Sequence, residues 1–215
     1  MHTVSATHLR TRGFTLVEIM VGLAILSILL AVGVPNMKAW LTTNKAIAAS
    51  EFYAEGFRLA RAEALKRNAV TRLVLTANAA SGQSDWQVDL CMPSSTVACT
   101  NNSGAWSTVS QPTGDDNAAD FLSVYRSAAN LPGTGQMTLT RDPATANAVY
   151  FTPLGWTNTS NALGTVNKLK SIKLAPVTAD AFPTAAIVVT LAGAVVKCKP
   201  ATATTAIKDS RDCPP

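Results

Sequence analysis

Histidine is almost missing from this sequence. The chain has two histidines, His2 and His8, and both precede Gly13. If the chain is cut after Gly13, the remainder contains none, which excludes a Ser-His-Asp or Cys-His catalytic arrangement and any histidine-bound metal. We therefore expect a protein that is not an enzyme and that has no metal site and no cofactor.

Charge is also scarce. Asp, Glu, Lys and Arg make up 14% of the chain, whereas Ala, Thr, Asn, Ser and Gly are abundant, which indicates an exported surface rich in β-structure. Removal of Arg10 and Arg12 with a leader would leave sixteen basic and thirteen acidic side chains. That small positive excess is too weak to predict nucleic-acid binding from charge alone.

One long segment is almost free of charge. Between Phe14 and Val34 only Glu18 is charged, and about 20 apolar residues in a helix suffice to cross a bilayer. We expect residues 14–35 to form the membrane-spanning half of a helix, since a secretory signal peptide has a shorter apolar region followed by its cleavage site. Arg10 and Arg12 precede the span, which predicts a cytoplasmic N-terminus and a periplasmic head.

Glu18 is costly at this position, because a carboxylate inside a membrane span needs a partner. Cleavage after Gly13 would make Phe14 the new N-terminus and create an α-amino group. On a neighbouring subunit, that amine is the obvious partner for Glu18. The hypothesis of cleavage and the hypothesis of pairing therefore support each other.

The run Gly13-Phe14-Thr15-Leu16-Val17-Glu18 before a uniform apolar helix resembles the class III signal of type IV pilins and type II secretion pseudopilins. The resemblance implies that residues 1–13 are a leader and that a prepilin peptidase cuts between Gly13 and Phe14. It also implies that Phe14 is N-methylated and that Glu18 guides subunits into a filament.

The helix should continue after the span as an amphipathic half, residues 36–68. Pro35 lacks an amide hydrogen and should kink or loosen the helix, and Asn68 should end it. We expect an apolar stripe of this half to pack against a globular head. The stripe consists of Met37, Trp40, Leu41, Ile47, Ala48, Phe52 and Leu59.

After Asn68 the hydrophobic period changes to two, which predicts strands. A helix followed by strands without helical crossovers predicts an α+β fold, with an antiparallel β-sheet head over residues 69–215. The polar stretches Pro93–Asp120 and Asn158–Asn167 should be loops. The expected strands are Val70–Thr76, Trp86–Leu90, Phe121–Tyr125, Gln136–Thr140, Ala148–Phe151, Lys168–Leu174, Ala186–Leu191 and Ala194–Cys198.

Four cysteines lie in the part of the chain that is expected outside the cytoplasm, where disulfides persist. They are Cys91, Cys99, Cys198 and Cys213. Three pairings are possible and the sequence does not decide among them. The local choice joins Cys91 to Cys99 and Cys198 to Cys213, whereas the spacings do not resemble a zinc site.

The resemblance extends beyond the signal. The helix end Arg58–Asn68, the stretch Val149–Thr157 and the C-terminal Ile187–Pro200 are similar to the FimT, FimU and GspH minor pilins. This implies a low-copy subunit of the inner membrane, and later of the pilus, that initiates filament assembly at the tip. Its implied partners are other minor and major pilins, an inner-membrane assembly platform and membrane lipid. A GspH-type pseudopilin of a type II secretion system is the alternative.

Some FimT-type pilins bind DNA through a Gly-Arg-x-Arg stretch, which makes DNA a further implied partner. The corresponding segment here begins at Gly193 and has no arginine. The candidate DNA contacts that remain are Lys197, Lys199, Lys208 and Arg211. Lys168, Lys170 and Lys173 lie on a predicted strand, where the spacing puts the first two on one face and the third on the other. A solvated edge that resists aggregation is the favoured interpretation of this strand.

Overall fold

The structure, a computed structural model, describes residues 13–92, 99–100, 104–109, 123–158, 168–178, 181–200 and 211–213. The chain divides into two compact units, Met1–Leu41 and Thr42–Pro215. Residues 1–12 of the predicted leader, with both histidines, and most of the two predicted loops lie outside the described residues.

One helix, α1, comprises Leu16–Arg67. Its residues are mostly good helix formers. The positive charges of Lys66 and Arg67 in the last turn are stabilised by the negative end of the helix dipole. Asn68 follows with a positive φ of 50°, as expected of a residue that stops a helix. The helix is continuous through position 35, so the kink at Pro35 stays a prediction.

The described residues after α1 form eight strands, and each lies at or near a segment that the period-two pattern predicts. The strands are β1 (Thr71–Ala77), β2 (Ser84–Leu90), β3 (Val124–Arg126), β4 (Met137–Asp142), β5 (Ala148–Phe151), β6 (Ser171–Pro176), β7 (Ala185–Val189) and β8 (Val195–Cys198). The α+β class is confirmed. The sixth strand begins at Ser171, three residues later than the sequence predicts.

The strands are divided between two antiparallel sheets. Sheet 1 has the order β3-β2-β1-β5, and sheet 2 has the order β4-β6-β7-β8. Strands of both sheets contribute to one hydrophobic core together with α1. Among its fully buried side chains are Trp86 and Leu73 from sheet 1, and Ile172 and Ile187 from sheet 2.

The face of α1 that enters this core differs from the predicted stripe. Phe52 and Leu59 of that stripe are partly buried and pack against the core, whereas Ile47 is 52% exposed and Ala48 is exposed. Met37, Trp40 and Leu41 belong to the other compact unit. The buried positions are instead Ala46, Ala49, Tyr53, Ala54, Phe57, Ala60 and Ala64. The predicted stripe is therefore confirmed at Phe52 and Leu59 and wrong at Ile47 and Ala48, because small side chains bring most of the buried face close to the strands.

Gly56 shows how close this approach is. A Cβ atom at this position would lie 2.8 Å from Leu73 Cδ1 and 2.9 Å from Trp86 Cδ2. Polar contacts fix the same interface, because Trp86 Nε1 donates to the Phe52 carbonyl at 2.8 Å. In addition, Thr71 Oγ1 donates to the Ala60 carbonyl at 2.7 Å. Sheet 1 is thus held on α1 by packing and by directed hydrogen bonds.

Candidate assembly and binding surfaces

The first turn of α1 is capped by Thr15. The Glu18 amide donates to Thr15 Oγ1 at 3.2 Å, and the Ile19 amide donates to the Thr15 carbonyl at 3.2 Å. Threonine at the cap and glutamate three residues later form the pattern of a capping box. Sequence reasoning missed this role, although the spacing of Thr15 and Glu18 could have shown it. Glu18 also lies near the positive end of the helix dipole, where a negative charge is stabilised.

The segment that follows is apolar and uncovered. Leu16–Val34 has a mean hydropathy of 2.5 over 19 residues, and none of it is buried. Phe14, which would become the N-terminus after cleavage, is 80% exposed. Ser27 Oγ donates to the Leu23 carbonyl at 2.7 Å, so this hydroxyl has a partner within the helix. By length and composition, the segment can cross a membrane.

Two disulfides lie in the part of the chain that the structure describes. Cys91 is joined to Cys99 with a Cα–Cα distance of 6.0 Å, and Cys198 to Cys213 with a distance of 4.8 Å. These are the local pairings among the three possibilities. The second disulfide fixes the C-terminal residues beside β8, where the Cys213 amide also donates to the Lys199 carbonyl at 2.9 Å.

The structure describes three of the four candidate DNA contacts, Lys197, Lys199 and Arg211, and all three are exposed. The ammonium group of Lys197 contacts the Glu51 carboxylate on α1, and this contact lowers the pKa of Glu51. The Lys199 amide donates to the Arg211 carbonyl at 2.7 Å, which joins the backbones of these two residues. Lys208 lies outside the described residues. Of the described candidates, Lys197 is thus paired with an acid, whereas Lys199 and Arg211 lie side by side.

Lys168, Lys170 and Lys173 line one groove of about 820 Å³ beside sheet 2. Only Lys173 belongs to β6, whereas Lys168 forms an isolated bridge with Ala148 before that strand begins. The prediction that they share one strand is therefore wrong. The cause is a parallel contact between β5 and the segment before β6, which no sequence pattern indicates. Burial lowers the pKa of Lys168.

Buried carboxylates in sheet 1 have structural partners. Asp85 accepts hydrogen bonds from the Ala128 amide at 2.6 Å, from the Tyr125 hydroxyl at 2.6 Å and from Asn78 Nδ2 at 2.8 Å. Asp89 accepts from Arg72 Nε at 2.7 Å. These contacts stabilise the sheet. Within the described residues there is no group of three side chains able to hold a metal ion.

An exposed apolar surface lies where the end of α1 meets two turns, and we name it the turn patch. A Cβ atom placed on Gly155 would lie 3.0 Å from Leu65 Cγ, and the Thr157 amide donates to the Leu191 carbonyl at 3.0 Å. The large apolar side chains on these contacting segments are Leu65, Leu154, Trp156 and Leu191, and all four are exposed. Sequence reasoning missed this surface, because its members are distant in sequence.

Two family models match the chain. The prokaryotic N-terminal methylation motif matches residues 9–34, and type II transport protein GspH matches residues 48–193. The second match spans more than half of the chain and includes the second part of α1 and strands β1 to β7. Comparison with curated proteins and with solved structures gave no match.

Proposed function

This chain belongs to the type II transport protein GspH family of pilins and pseudopilins, and from that premise we propose that it is a minor pilin that helps to initiate a type IV pilus at the filament tip. The observation that carries this proposal is the uncovered apolar start of α1, with a single carboxylate in its first turn. In the part of the chain that the structure describes, none of these side chains is buried. Lipid surrounds them first, and the helices of other pilins replace lipid during assembly.

The steps of assembly follow from the chemistry of the first turn. A prepilin peptidase cuts between Gly13 and Phe14 and N-methylates Phe14. The protein then stays in the inner membrane through a single span, with its head in the periplasm. The α-amino group of Phe14 on one subunit pairs with Glu18 of a neighbour in a low-dielectric setting, where an unpaired charge is costly. The assembly platform moves the paired subunits into the pilus.

Substitution of Glu18 tests the pairing against the capping role. We expect Glu18→Ala to be made and cleaved but to lose incorporation into filaments. Glu18→Gln keeps a residue that suits a capping box but removes the charge. Both variants should therefore lower incorporation by about tenfold or more, because an unpartnered buried amine costs more than the ~1.4 kcal/mol of a tenfold change. The measurement is the amount of the chain in sheared filaments relative to its amount in membranes.

Glu55→Ala is the matched control, because Glu55 is an exposed carboxylate on the same helix. Its incorporation should equal that of the wild type. Normal incorporation of Glu18→Gln with loss in Glu18→Ala would assign Glu18 to capping alone and contradict the pairing. Mass spectrometry of the membrane form should show a methylated Phe14 at the N-terminus, and an uncut chain would contradict the whole route.

A pseudopilin of a type II secretion system is the second candidate, and the match to type II transport protein GspH favours it. Deletion of the gene separates the two functions. A pilus subunit predicts fewer surface pili with normal release of secreted enzymes, whereas a pseudopilin predicts the reverse. Complementation with the wild-type chain should restore whichever property is lost.

We do not extend the proposal to DNA uptake. Lys197 is occupied by Glu51, and the arginines of the FimT-type motif are absent. Phosphate contacts alone would give weak binding that falls steeply with salt. We expect no retardation of DNA by the detergent-solubilised chain at physiological salt. A shift that persists there and is lost in Lys197→Ala and Lys199→Ala would restore the DNA hypothesis.

A further inference from the structure

The groove that Lys168, Lys170 and Lys173 line, which we name the lysine groove, has a volume of about 820 Å³. Pockets that bind small molecules commonly measure about 300 to 1,000 Å³ and have a mainly apolar lining with a few polar groups that orient the ligand. The apolar side chains that line the lysine groove include Leu169, Val188, Leu191 and Ala192. In size and in lining, the groove therefore matches a small-molecule site.

The alternation of residues along β6 and β7 leaves space in this groove. Ile172 is fully buried in the core, so Ser171 and Lys173 on either side of it face away from the core. Their partners across the ladder are Val188 and Ala186 on β7. All four of these outward residues line the groove, and apart from the lysine none is larger than valine. The surface of sheet 2 thus leaves room for a ligand beside the side chain of Lys173.

Hydrogen bonds and a bridge hold the backbone of the other two lysines. The Lys170 amide donates to the Asp142 carbonyl at 2.8 Å, and the Lys170 carbonyl accepts from the Val189 amide at 2.9 Å. Lys168 forms its isolated bridge with Ala148 on β5. The fold therefore sets the backbone positions of all three lysines before any ligand is present, which lowers the conformational entropy that binding would cost.

Positive charge is in excess in the groove. The described residues that line it include three cations and one acid, Asp142. Within the part of the chain that the structure describes, Lys170 and Lys173 form no ion pair, and both are exposed. Burial lowers the pKa of Lys168, and a negative group beside it would offset the cost of its charge. An anionic ligand would complement this distribution of charge.

We infer that the lysine groove binds a small organic acid, a molecule with an apolar body and at least one carboxylate. The apolar body packs on side chains such as Val188 and Leu191, and the carboxylate accepts hydrogen bonds from the lysines. Charge-assisted hydrogen bonds of this kind are shorter and stronger than neutral ones. The inference goes beyond the assembly role proposed above and does not rest on it.

Size and lining separate this ligand from larger anions. DNA binding depends on several cations that each neutralise a phosphate along the duplex, and a mainly apolar lining does not suit a phosphate backbone. A lipid in a bilayer keeps its acyl chains in the membrane and offers only its headgroup, which would leave the apolar lining without a partner. A small acid is the occupant that uses both the cations and the apolar side chains of the groove.

Photoaffinity labelling of the full chain in detergent tests the inference. The probe is decanoic acid with a photoreactive diazirine in its chain, and the control probe is the matching alcohol, which lacks the acid group. Mass spectrometry of peptides then locates the label. We expect the acid to label residues 168–173 and 186–192 at least tenfold more than the alcohol does, a difference of ~1.4 kcal/mol or more in binding. An excess of unlabelled decanoate should remove this label.

Matched variants separate the contributions of charge and of apolar contact. Lys170→Gln and Lys173→Gln keep most of the length of each side chain and remove its charge, so each should lower the label about fivefold. Leu191→Ser removes an exposed apolar side chain from the lining and should lower the label several-fold. Lys45→Gln removes an exposed cation from α1 and should change nothing. Thermal unfolding should be the same in all four variants, since these side chains are exposed.

The other outcomes would overturn the inference. Equal labelling by the acid and the alcohol, acid label only outside residues 168–173 and 186–192, or unchanged label in both lysine variants would each remove it. Stronger competition by a short-chain phosphatidylglycerol than by decanoate would assign the groove to a membrane lipid, and stronger competition by a DNA duplex would assign it to nucleic acid. Incorporation into filaments is a separate measurement, so failure of the ligand site and failure of the assembly role are distinguishable.

Discussion

Two stretches of the same helix differ in what covers them. Leu16–Val34 is rich in large apolar side chains, and all of them are exposed. Between Ala46 and Ala64 the buried face consists mainly of alanine, with Tyr53 and Phe57 among them, and two sheets cover it. The difference shows that small residues line the face that the two sheets cover. The large apolar side chains of Leu16–Val34 are exposed in the described structure, as the proposed membrane and filament contacts require.

Truncation of a large apolar side chain in the core or in the exposed stretch should give the largest difference in stability. Trp86→Ala removes a fully buried ring that packs against α1, and we expect a loss of about 4 kcal/mol in the free energy of unfolding. Leu26→Ala removes a side chain that nothing in the structure covers, so the same free energy should be unchanged. Urea unfolding of the full chain in detergent, followed by near-ultraviolet circular dichroism, gives both values. Equal losses would contradict the division of α1 into two surfaces.

A pair of glycines in α1 sharpens the comparison with a smaller effect. Gly56→Val places new atoms against Leu73 and Trp86 and should lower stability by about 2 kcal/mol through overpacking. Gly22→Val meets nothing within 4 Å and should leave the stability of the head unchanged. The measurement is the thermal unfolding temperature of each variant compared with that of the wild type. A Gly56→Val variant as stable as the wild type would show that the helix can move away from sheet 1.

The smallest expected effect is that of low pH, which should destabilise the head but not the apolar stretch Leu16–Val34. Burial raises the pKa of Asp85, but the hydrogen bonds from Ala128, Tyr125 and Asn78 outweigh burial, and the net pKa lies below the ordinary value. The charged form is therefore favoured in the folded state. Its stabilisation is present at neutral pH, above the unfolded pKa of about 4, and is lost as the pH falls through the lowered folded pKa.

Asp85→Asn should consequently cost about 1 to 2 kcal/mol at pH 7, and its difference from the wild type should shrink as the pH falls below about 4. Glu55→Gln, at an exposed position on α1, is the control and should show no such dependence. Unfolding free energies at pH 7, 5 and 3 provide the measurement. A constant difference across that range would mean that the charge of Asp85 contributes nothing to stability.

The sequence predicts the strands well because each has a period of two and polar turns at its ends. It predicts the first turn of α1 for a different reason, since Gly13, Phe14 and Glu18 form a short contiguous motif whose chemistry does not depend on the rest of the fold. The assignment of strands to two sheets was not predictable in this way. The pairing of β1 with β5, for example, depends on contacts between residues far apart in the chain.

Most of the buried face of α1 and the whole turn patch were missed, for related reasons. Alanine and glycine contribute little to a hydrophobic pattern, so Ala49 and Gly56 did not stand out beside Ile47. Leu65, Trp156 and Leu191 belong to three separate segments, and only the fold brings those segments together. The contact of Lys197 with Glu51 spans 146 residues and likewise has no local pattern.

Some of the strands that cover the buried face of α1 come late in the chain, which has a consequence for biosynthesis. Ala49 and Phe57 share their core with Ile187 and Val189, which a ribosome adds more than a hundred residues later. Until those residues have been synthesised, the alanine face is not fully covered, and closing such a long loop is slow. A nascent chain thus completes its head only after its last strands have emerged.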